Sequence, residues 1–126
     1  MIVRMEQVLP YLHKPIYRQI DGRPVCLLTI GHVAHVCRRT TWTIKYWTKI
    51  GLFPEAPFLL YPEVPRSRRR LYPKPFVLAL TDIVDAGYLG DRLDRDQWIR
   101  FRNEVFAAYD RTALPMLASN TARGVD

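Results

Sequence analysis

The chain has 126 residues, of which 48% are hydrophobic and 25% are charged. This composition is typical of one globular domain, or of one small domain with an added helix, and it argues against disorder along the whole chain. The net charge of +7 indicates a polyanionic partner, with nucleic acid as the first candidate. Two cysteines are too few for a disulfide framework, and the apolar runs are too short for a membrane span or a secretory signal.

The positive charge is concentrated in the middle of the chain. Residues 29–75 contain nine basic and two acidic side chains, whereas residues 1–28 carry a net charge of +2 and residues 76–126 a net charge of −2. A solvated surface without a partner usually mixes its charges. The sequence therefore predicts a binding face in the middle segment and a separate structural element after it.

Residues 1–28 are predicted to form an N-terminal extension that contains a β-hairpin. The apolar runs 16–20 and 25–28 flank Asp21-Gly22, and Asp-Gly is a strong signal for a tight hairpin turn because both turn positions need a positive φ. Pro24 would then lie early on the second strand or on an unpaired edge.

Two short helices are predicted next. The first runs from Thr29, a possible N-cap, to Arg38, and its apolar stripe contains Ile30, Val33, Ala34 and Cys37. The second runs from Thr40 to Ile50, is capped by Thr40 or Thr41, and turns Ile44, Trp47 and Ile50 to one side. Gly51 fits the left-handed position that ends a helix. Two amphipathic helices with a short connection are typical of a helix-turn-helix unit.

A basic β-wing is predicted after this unit. Residues 54–65 are rich in proline and contain a possible short strand over residues 58–61, and Arg66 to Arg70 form a basic run that leads into Leu71 and Tyr72. A third helix follows over residues 76–86, with Pro75 acceptable in its first turn and Gly87 at its end. Its predicted buried stripe contains Val77, Leu80, Ile83 and Val84.

The last helix is predicted to run from Asp94 to about Leu114. Asp94 and Gln97 have the spacing of a capping box. The apolar stripe is wide and aromatic and contains Trp98, Ile99, Phe101, Val105, Phe106 and Tyr109. A stripe of this width favours docking onto the third helix and the hairpin over a coiled coil. We therefore expect a monomer in solution, with any cooperative assembly taking place on DNA, and a disordered tail over residues 119–126.

Residues 29–86 resemble the DNA-binding domain of MerR-type regulators and phage excisionases. The matching elements occur in order: Ile30-Gly31-His32-Val33-Ala34, then Thr40-x-x-Thr43-Ile44-Lys45-Tyr46-Trp47, then Gly51-Leu52, then Arg70-Leu71-Tyr72. Three features depart from the family pattern: Lys45 stands where an arginine is usual, Arg38-Arg39 occupy a turn that is often glycine and an aliphatic residue, and the loop 54–65 is long. The long dimerisation helix and the effector domain of the regulators have no counterpart in this chain.

The resemblance implies a winged helix-turn-helix fold, mainly α with a small β component, with an N-terminal β-hairpin and an extra C-terminal helix. The winged unit would span residues 29–90, and residues 91–118 would form the helix packed on it. The resemblance further implies sequence-specific binding of double-stranded DNA by a transcriptional regulator of phage or mobile-element origin. We expect such a protein in the bacterial cytoplasm, associated with the nucleoid, without a cofactor and without a membrane partner.

The predicted DNA-binding residues come from the second helix, the turn before it and the wing. A helix fits the major groove of B-DNA, where Thr41, Trp42 and Lys45 could reach base edges. Tyr46 and Lys49 would suit phosphates. Three residues just before this helix would also suit phosphates, because the helix dipole attracts anions there: Arg38, Arg39 and Thr40. The wing would reach an adjacent minor groove or its phosphates through Arg66, Arg68, Arg69, Arg70 and Tyr72. Trp42 could instead belong to the core, whereas Trp47 is in phase with Ile44 and is predicted to be buried.

Other functions are less well supported by the sequence. The spacing of His32, His35 and Cys37 is not a zinc pattern, and no pairing of a nucleophile with a base or glycine-rich phosphate loop indicates an enzyme. An architectural protein of the excisionase type and a DNA-recognition protein resembling a small terminase are alternatives within the same fold. A protein–protein adaptor would require the aromatic residues of the last helix, Trp98, Phe101 and Tyr109, to form an exposed patch.

Overall fold

The computed structural model describes residues 15–20, 22–59, 70–90 and 92–116. In this part of the chain four helices combine with one four-stranded antiparallel sheet, a mixed α and β fold with a small β component. The elements in chain order are β1 (Ile16–Ile20), β2 (Arg23–Thr29), α1 (Ile30–Cys37), α2 (Thr41–Lys49), β3 (Phe58–Leu59), β4 (Arg70–Pro73), α3 (Lys74–Asp85) and α4 (Arg95–Thr112). None of the helices described is long and apolar enough to cross a membrane.

The N-terminal hairpin is present as predicted. β1 pairs with β2 so that Ile16 lies opposite Leu27 and Ile20 opposite Arg23, and Gly22 in the connection has a φ of 75°. Pro24 is the second residue of β2. It lies outside the stretch of β2 that pairs with β4, so its missing N–H costs no hydrogen bond on that side.

The hairpin and the later strands form a single sheet, which the sequence did not predict. β2 pairs with β4 through Leu27 to Thr29, and β4 also pairs with β3, which gives the strand order β1-β2-β4-β3. Leu28 and Tyr72 belong to the core that the sheet shares with the helices. Leu27 and Leu71 are the strand neighbours of Leu28 and Tyr72 and point to the other face of the sheet. They belong to a second cluster with Ile20 and Phe58. The alternation of side chains along each strand thus gives the sheet two apolar faces.

Helices α1 and α2 are joined by residues 38–40. Arg38 caps α1 in the left-handed conformation, with a φ of 55°. Thr29 precedes α1 in an extended conformation, but its side chain makes no capping bond to the helix backbone; its hydroxyl instead lies 3.2 Å from Nδ1 of His32. Thr40 caps α2, and its Oγ1 accepts a hydrogen bond from the Thr43 backbone N–H at 3.2 Å. The cap therefore fixes where α2 begins.

Helix α2 turns Ile44 and Trp47 into the core, where both are buried. The prediction that Ile50 lies beside them is wrong, because Ile50 is the C-cap residue, has left the helical conformation and is 48% exposed. Gly51 follows with a φ of 82°, in agreement with its predicted role at the helix end.

Helix α4 packs against α3, as its apolar stripe predicted. The capping box is complete: the Asp94 carboxylate accepts from the Gln97 backbone N–H at 2.8 Å, and the Gln97 side chain accepts from the Asp94 N–H at 2.9 Å. Phe101 and Val105 are fully buried. Ile99, predicted to widen the stripe, is 47% exposed and lies outside the core.

Aromatic contacts join α4 to two other helices. Trp98 meets Trp47 of α2 edge to face at 5.1 Å between ring centroids, and Tyr109 meets Phe76 of α3 in the same way at 5.7 Å. The aromatic patch that an adaptor would need is therefore not exposed, because Phe101 is buried and Trp98 and Tyr109 are half-buried against the domain. The predicted tail, residues 119–126, lies outside the described residues.

Candidate nucleic-acid interface

One face of α2 presents two aromatic and two basic side chains to solvent. Trp42, Lys45, Tyr46 and Lys49 follow a spacing of three, four and seven residues, which places them on one side of a helix. All four are exposed, whereas Ile44 and Trp47 on the opposite side are buried. We call these four residues the α2 outer face. Its orientation follows from Trp47, which anchors the other side of the helix between Trp98 and Phe101.

The two aromatic rings of the α2 outer face are stacked on each other. Trp42 and Tyr46 have parallel rings, with an angle of 3° between the planes and 5.6 Å between the centroids. Trp42 is 70% exposed, so the alternative in which it belongs to the core is wrong. An offset stack is a favoured aromatic geometry, and it joins the two rings on the exposed side of the helix, next to Lys45 and Lys49.

A groove lies beside this face and includes residues from other parts of the chain. It has a volume of about 520 Å³ and is lined by Trp42, Lys45, Tyr46, Thr48, Lys49, Glu55 and Arg70. Arg70 is the first residue of β4 and is half-buried. The structure thus brings the start of β4 next to α2, so that three cationic side chains line one cleft. Such a cleft concentrates positive potential and attracts anionic groups.

Three arginines of the predicted wing, Arg66, Arg68 and Arg69, lie outside the described residues, and their contact with DNA stays a prediction. Arg70 is the member of this run that the structure describes. At the start of β4, Arg70 lines the groove.

Tyr72 does not belong to the interface. It was predicted to contact DNA, but its side chain is fully buried, its ring stacks on Phe76 at 5.5 Å, and its hydroxyl donates to the carbonyl of Pro54 at 3.0 Å. Burial raises the pKa of the Tyr72 hydroxyl above its ordinary value. The prediction failed because both faces of the sheet are covered at this point of β4: Tyr72 packs in the core shared with the helices, and Leu71 packs in the second cluster.

Of the four predicted residues that precede or begin α2, two serve the fold. The guanidinium of Arg39 donates to the carbonyls of Cys37 at 3.2 Å and Gly90 at 2.6 Å, and it lies 5.9 Å from the centre of the Trp47 ring. The hydroxyl of Thr40 is engaged in the cap of α2. Arg38, in the turn before α2, and Thr41, the first residue of α2, are exposed. Those two side chains remain able to meet an external anion near the positive end of the helix dipole.

Sequence reasoning missed two side chains that line the groove, Glu55 and Thr48. Thr48 lies one turn after Ile44 and donates its hydroxyl to the Ile44 carbonyl at 2.8 Å. Glu55 is exposed in the irregular segment after α2. A charged residue in an irregular segment has no periodicity from which its position could be inferred, so no sequence signal indicated its place in the groove.

The side chains considered as metal ligands are dispersed. His32 and Cys37 are buried, while His35 is exposed. Burial raises the pKa of the Cys37 thiol to about 12, so it remains protonated at neutral pH. Across the described ranges, no three side chains of His, Cys, Asp or Glu come together in a way that could hold a metal ion.

Comparison with known proteins adds no relative from which a role could be taken. No family model, no curated protein and no solved structure matches the chain. The groove between α2, Glu55 and β4 is thus a candidate site defined by its own geometry and charge.

Proposed function

We propose that this chain is a sequence-specific double-stranded DNA-binding protein that acts as a transcriptional regulator. In this proposal the fold is a winged helix-turn-helix: α2 enters the major groove, and the basic residues before and at the start of β4 reach the adjacent minor groove or its phosphates. One observation carries the proposal. A short helix with an exposed aromatic and basic face shares a groove with the residue that ends the basic run.

The chemistry of the groove fits a duplex. Lys45 belongs to the exposed α2 outer face, and a lysine can donate to the O6 or N7 of a guanine. Trp42 is the most exposed of the aromatic side chains on this face and can contact the C5-methyl group of a thymine. Lys49 and Arg70 border these residues and suit phosphates, which position a protein on DNA without reading its sequence.

The first experiment measures affinity for duplex DNA as a function of salt. Each phosphate neutralised by a lysine or arginine contributes about −0.9 to the slope of log affinity against log salt concentration. The substitution Lys49→Ala should make this slope shallower by about one phosphate contact. Arg111→Ala is the matched control, because Arg111 is an exposed cation in the last turn of α4 and does not line the groove. A salt-independent affinity for every duplex would refute the proposal.

The second experiment separates base reading from positioning. Lys45→Ala should relax the preference at one base position in a selection from a random-sequence library, at a cost of about 1–3 kcal/mol on the preferred site. Arg69→Ala should weaken specific and non-specific binding by similar amounts, because the proposal assigns Arg69 to the phosphates or the minor groove. An unchanged consensus for Lys45→Ala would remove this residue from base reading.

A further inference from the structure

The groove contains an acid that the proposed function does not explain. Among the described residues that line it, Glu55 is the one acidic side chain, and it shares the groove with Lys45, Lys49 and Arg70. A surface that bound only phosphates would be weakened by a carboxylate at this place, because like charges repel in a cleft where the effective dielectric constant is low. A carboxylate beside the α2 outer face would instead interact favourably with a ligand group that donates hydrogen bonds.

The backbone on both sides of Glu55 is anchored in the core. Phe53 is 1% exposed and meets Tyr72 and Phe76 edge to face, each at 5.9 Å. Pro54 is buried, and its carbonyl accepts the hydrogen bond from the Tyr72 hydroxyl at 3.0 Å. On the other side, Ala56 packs against the same core. The position of Glu55 is thus fixed by buried neighbours, which limits where its carboxylate can reach and makes a geometric role possible.

Among the four bases, cytosine has the major-groove edge that best fits a carboxylate. An ionised carboxylate only accepts hydrogen bonds, and the donors on the major-groove edges of base pairs are the N4 amine of cytosine and the N6 amine of adenine. Adenine presents the N7 acceptor next to its amine, and a carboxylate would be repelled by it. Cytosine presents its amine without an acceptor on the same base.

We infer that Glu55 is a specificity-determining residue that accepts a hydrogen bond from the N4 amine of a cytosine in the major groove. This inference rests on the proposed function. It adds a reading position supplied by the segment after α2, so that the bound site contains a required cytosine beside the bases contacted from the α2 outer face.

The substitution Glu55→Gln tests the inference because it keeps the shape of the side chain and changes its hydrogen-bonding chemistry. A glutamine can bond to N6 and N7 of adenine together. The preferred duplex is first found by selection with the wild-type protein. The cytosine that this selection requires is then replaced by adenine. We expect the ratio of affinities for the cytosine and adenine duplexes to fall at least about tenfold in Glu55→Gln. Asp82→Asn is the control, because it removes one negative charge from an exposed position on α3 that does not line the groove.

The possible outcomes are distinct. A fall in the ratio in Glu55→Gln and none in Asp82→Asn supports the inference. A uniform gain in affinity for all duplexes overturns it, because that is the result of lost repulsion from phosphates alone. If the wild-type protein selects a consensus in which Glu55→Gln changes no position, the inference fails and the proposed function stands. If the wild-type protein selects no duplex at all, both fail. Thermal unfolding of each variant shows that the fold is retained.

Discussion

The two tryptophans of α2 provide a test of the orientation of this helix. They lie five residues apart on opposite sides: Trp47 is 5% exposed, and Trp42 is 70% exposed. Replacing each with alanine removes the same atoms from the same helix. The difference between the two variants therefore reports the environment of each side chain and little else.

The magnitudes follow from the contacts. Trp47→Ala removes a buried ring that meets Trp98 and Phe101 edge to face, and truncation of a buried tryptophan costs about 3–5 kcal/mol. For a domain with a free energy of unfolding of about 5–15 kcal/mol, this is a large share of the stability, and near the lower end of that range the variant would be only marginally folded. Trp42→Ala loses the stack on Tyr46, about 0.5–1.5 kcal/mol at most, and part of that loss is offset because alanine favours the helix. We expect a change within about 1 kcal/mol.

Urea denaturation followed by far-ultraviolet circular dichroism measures both values without relying on tryptophan fluorescence. Trp47→Phe is the control, because it keeps an aromatic ring at the buried position and should lose less than Trp47→Ala. If the proposed function is correct, the Trp42→Ala variant should remain folded but bind the preferred duplex more weakly. Equal losses of stability in Trp42→Ala and Trp47→Ala would refute the assigned orientation of α2.

Four further predictions concern the core, the termini of the helices and assembly. In the native protein Cys26, which is half-buried, should react with iodoacetamide before Cys37, which is 1% exposed and has a pKa of about 12; mass spectrometry that finds equal labelling would contradict the packing. Burial raises the pKa of the Cys37 thiol and of the Tyr72 hydroxyl, so the unfolded chain releases these protons first. The contribution of these two groups to the free energy of unfolding should be constant well below pH 9 and fall at higher pH, by up to about 1.4 kcal/mol per pH unit for Cys37 above about pH 9 and for Tyr72 as well above about pH 10, and the absence of any fall between about pH 8 and pH 10.5 in urea titrations would exclude this effect. Asp94→Ala should cost about 1 kcal/mol because it removes the cap of α4, with a smaller loss for Gln97→Ala, and no change in the urea midpoint would argue against the capping box. Sedimentation without DNA at micromolar concentration should give a monomer, because the apolar stripe of α4 is used within the chain; a species of twice the mass would overturn this expectation.

The sequence determined the local elements where a periodic pattern and a terminal signal coincide. The turn at Gly22, the cap at Thr40 and the capping box of Asp94 and Gln97 are each specified by residues within a few positions of one another. The burial of Trp47 was predictable in the same way, because Trp47 lies three residues after Ile44 and therefore on the same side of the helix. These features are predictable because the interactions that decide them are made within one turn of helix or one tight turn of chain.

The tertiary structure decided everything that depends on which elements meet. The pairing of β2 with β4, the burial of Tyr72 under the segment that holds Glu55, and the engagement of Arg39 with Gly90 all join residues that are far apart in the sequence. A period of two or of 3.6 residues shows that a strand or helix has an apolar face, but the partner that covers this face is chosen by packing across the whole domain. The groove beside α2 exists only because that packing places β4 and the segment after α2 next to the same helix.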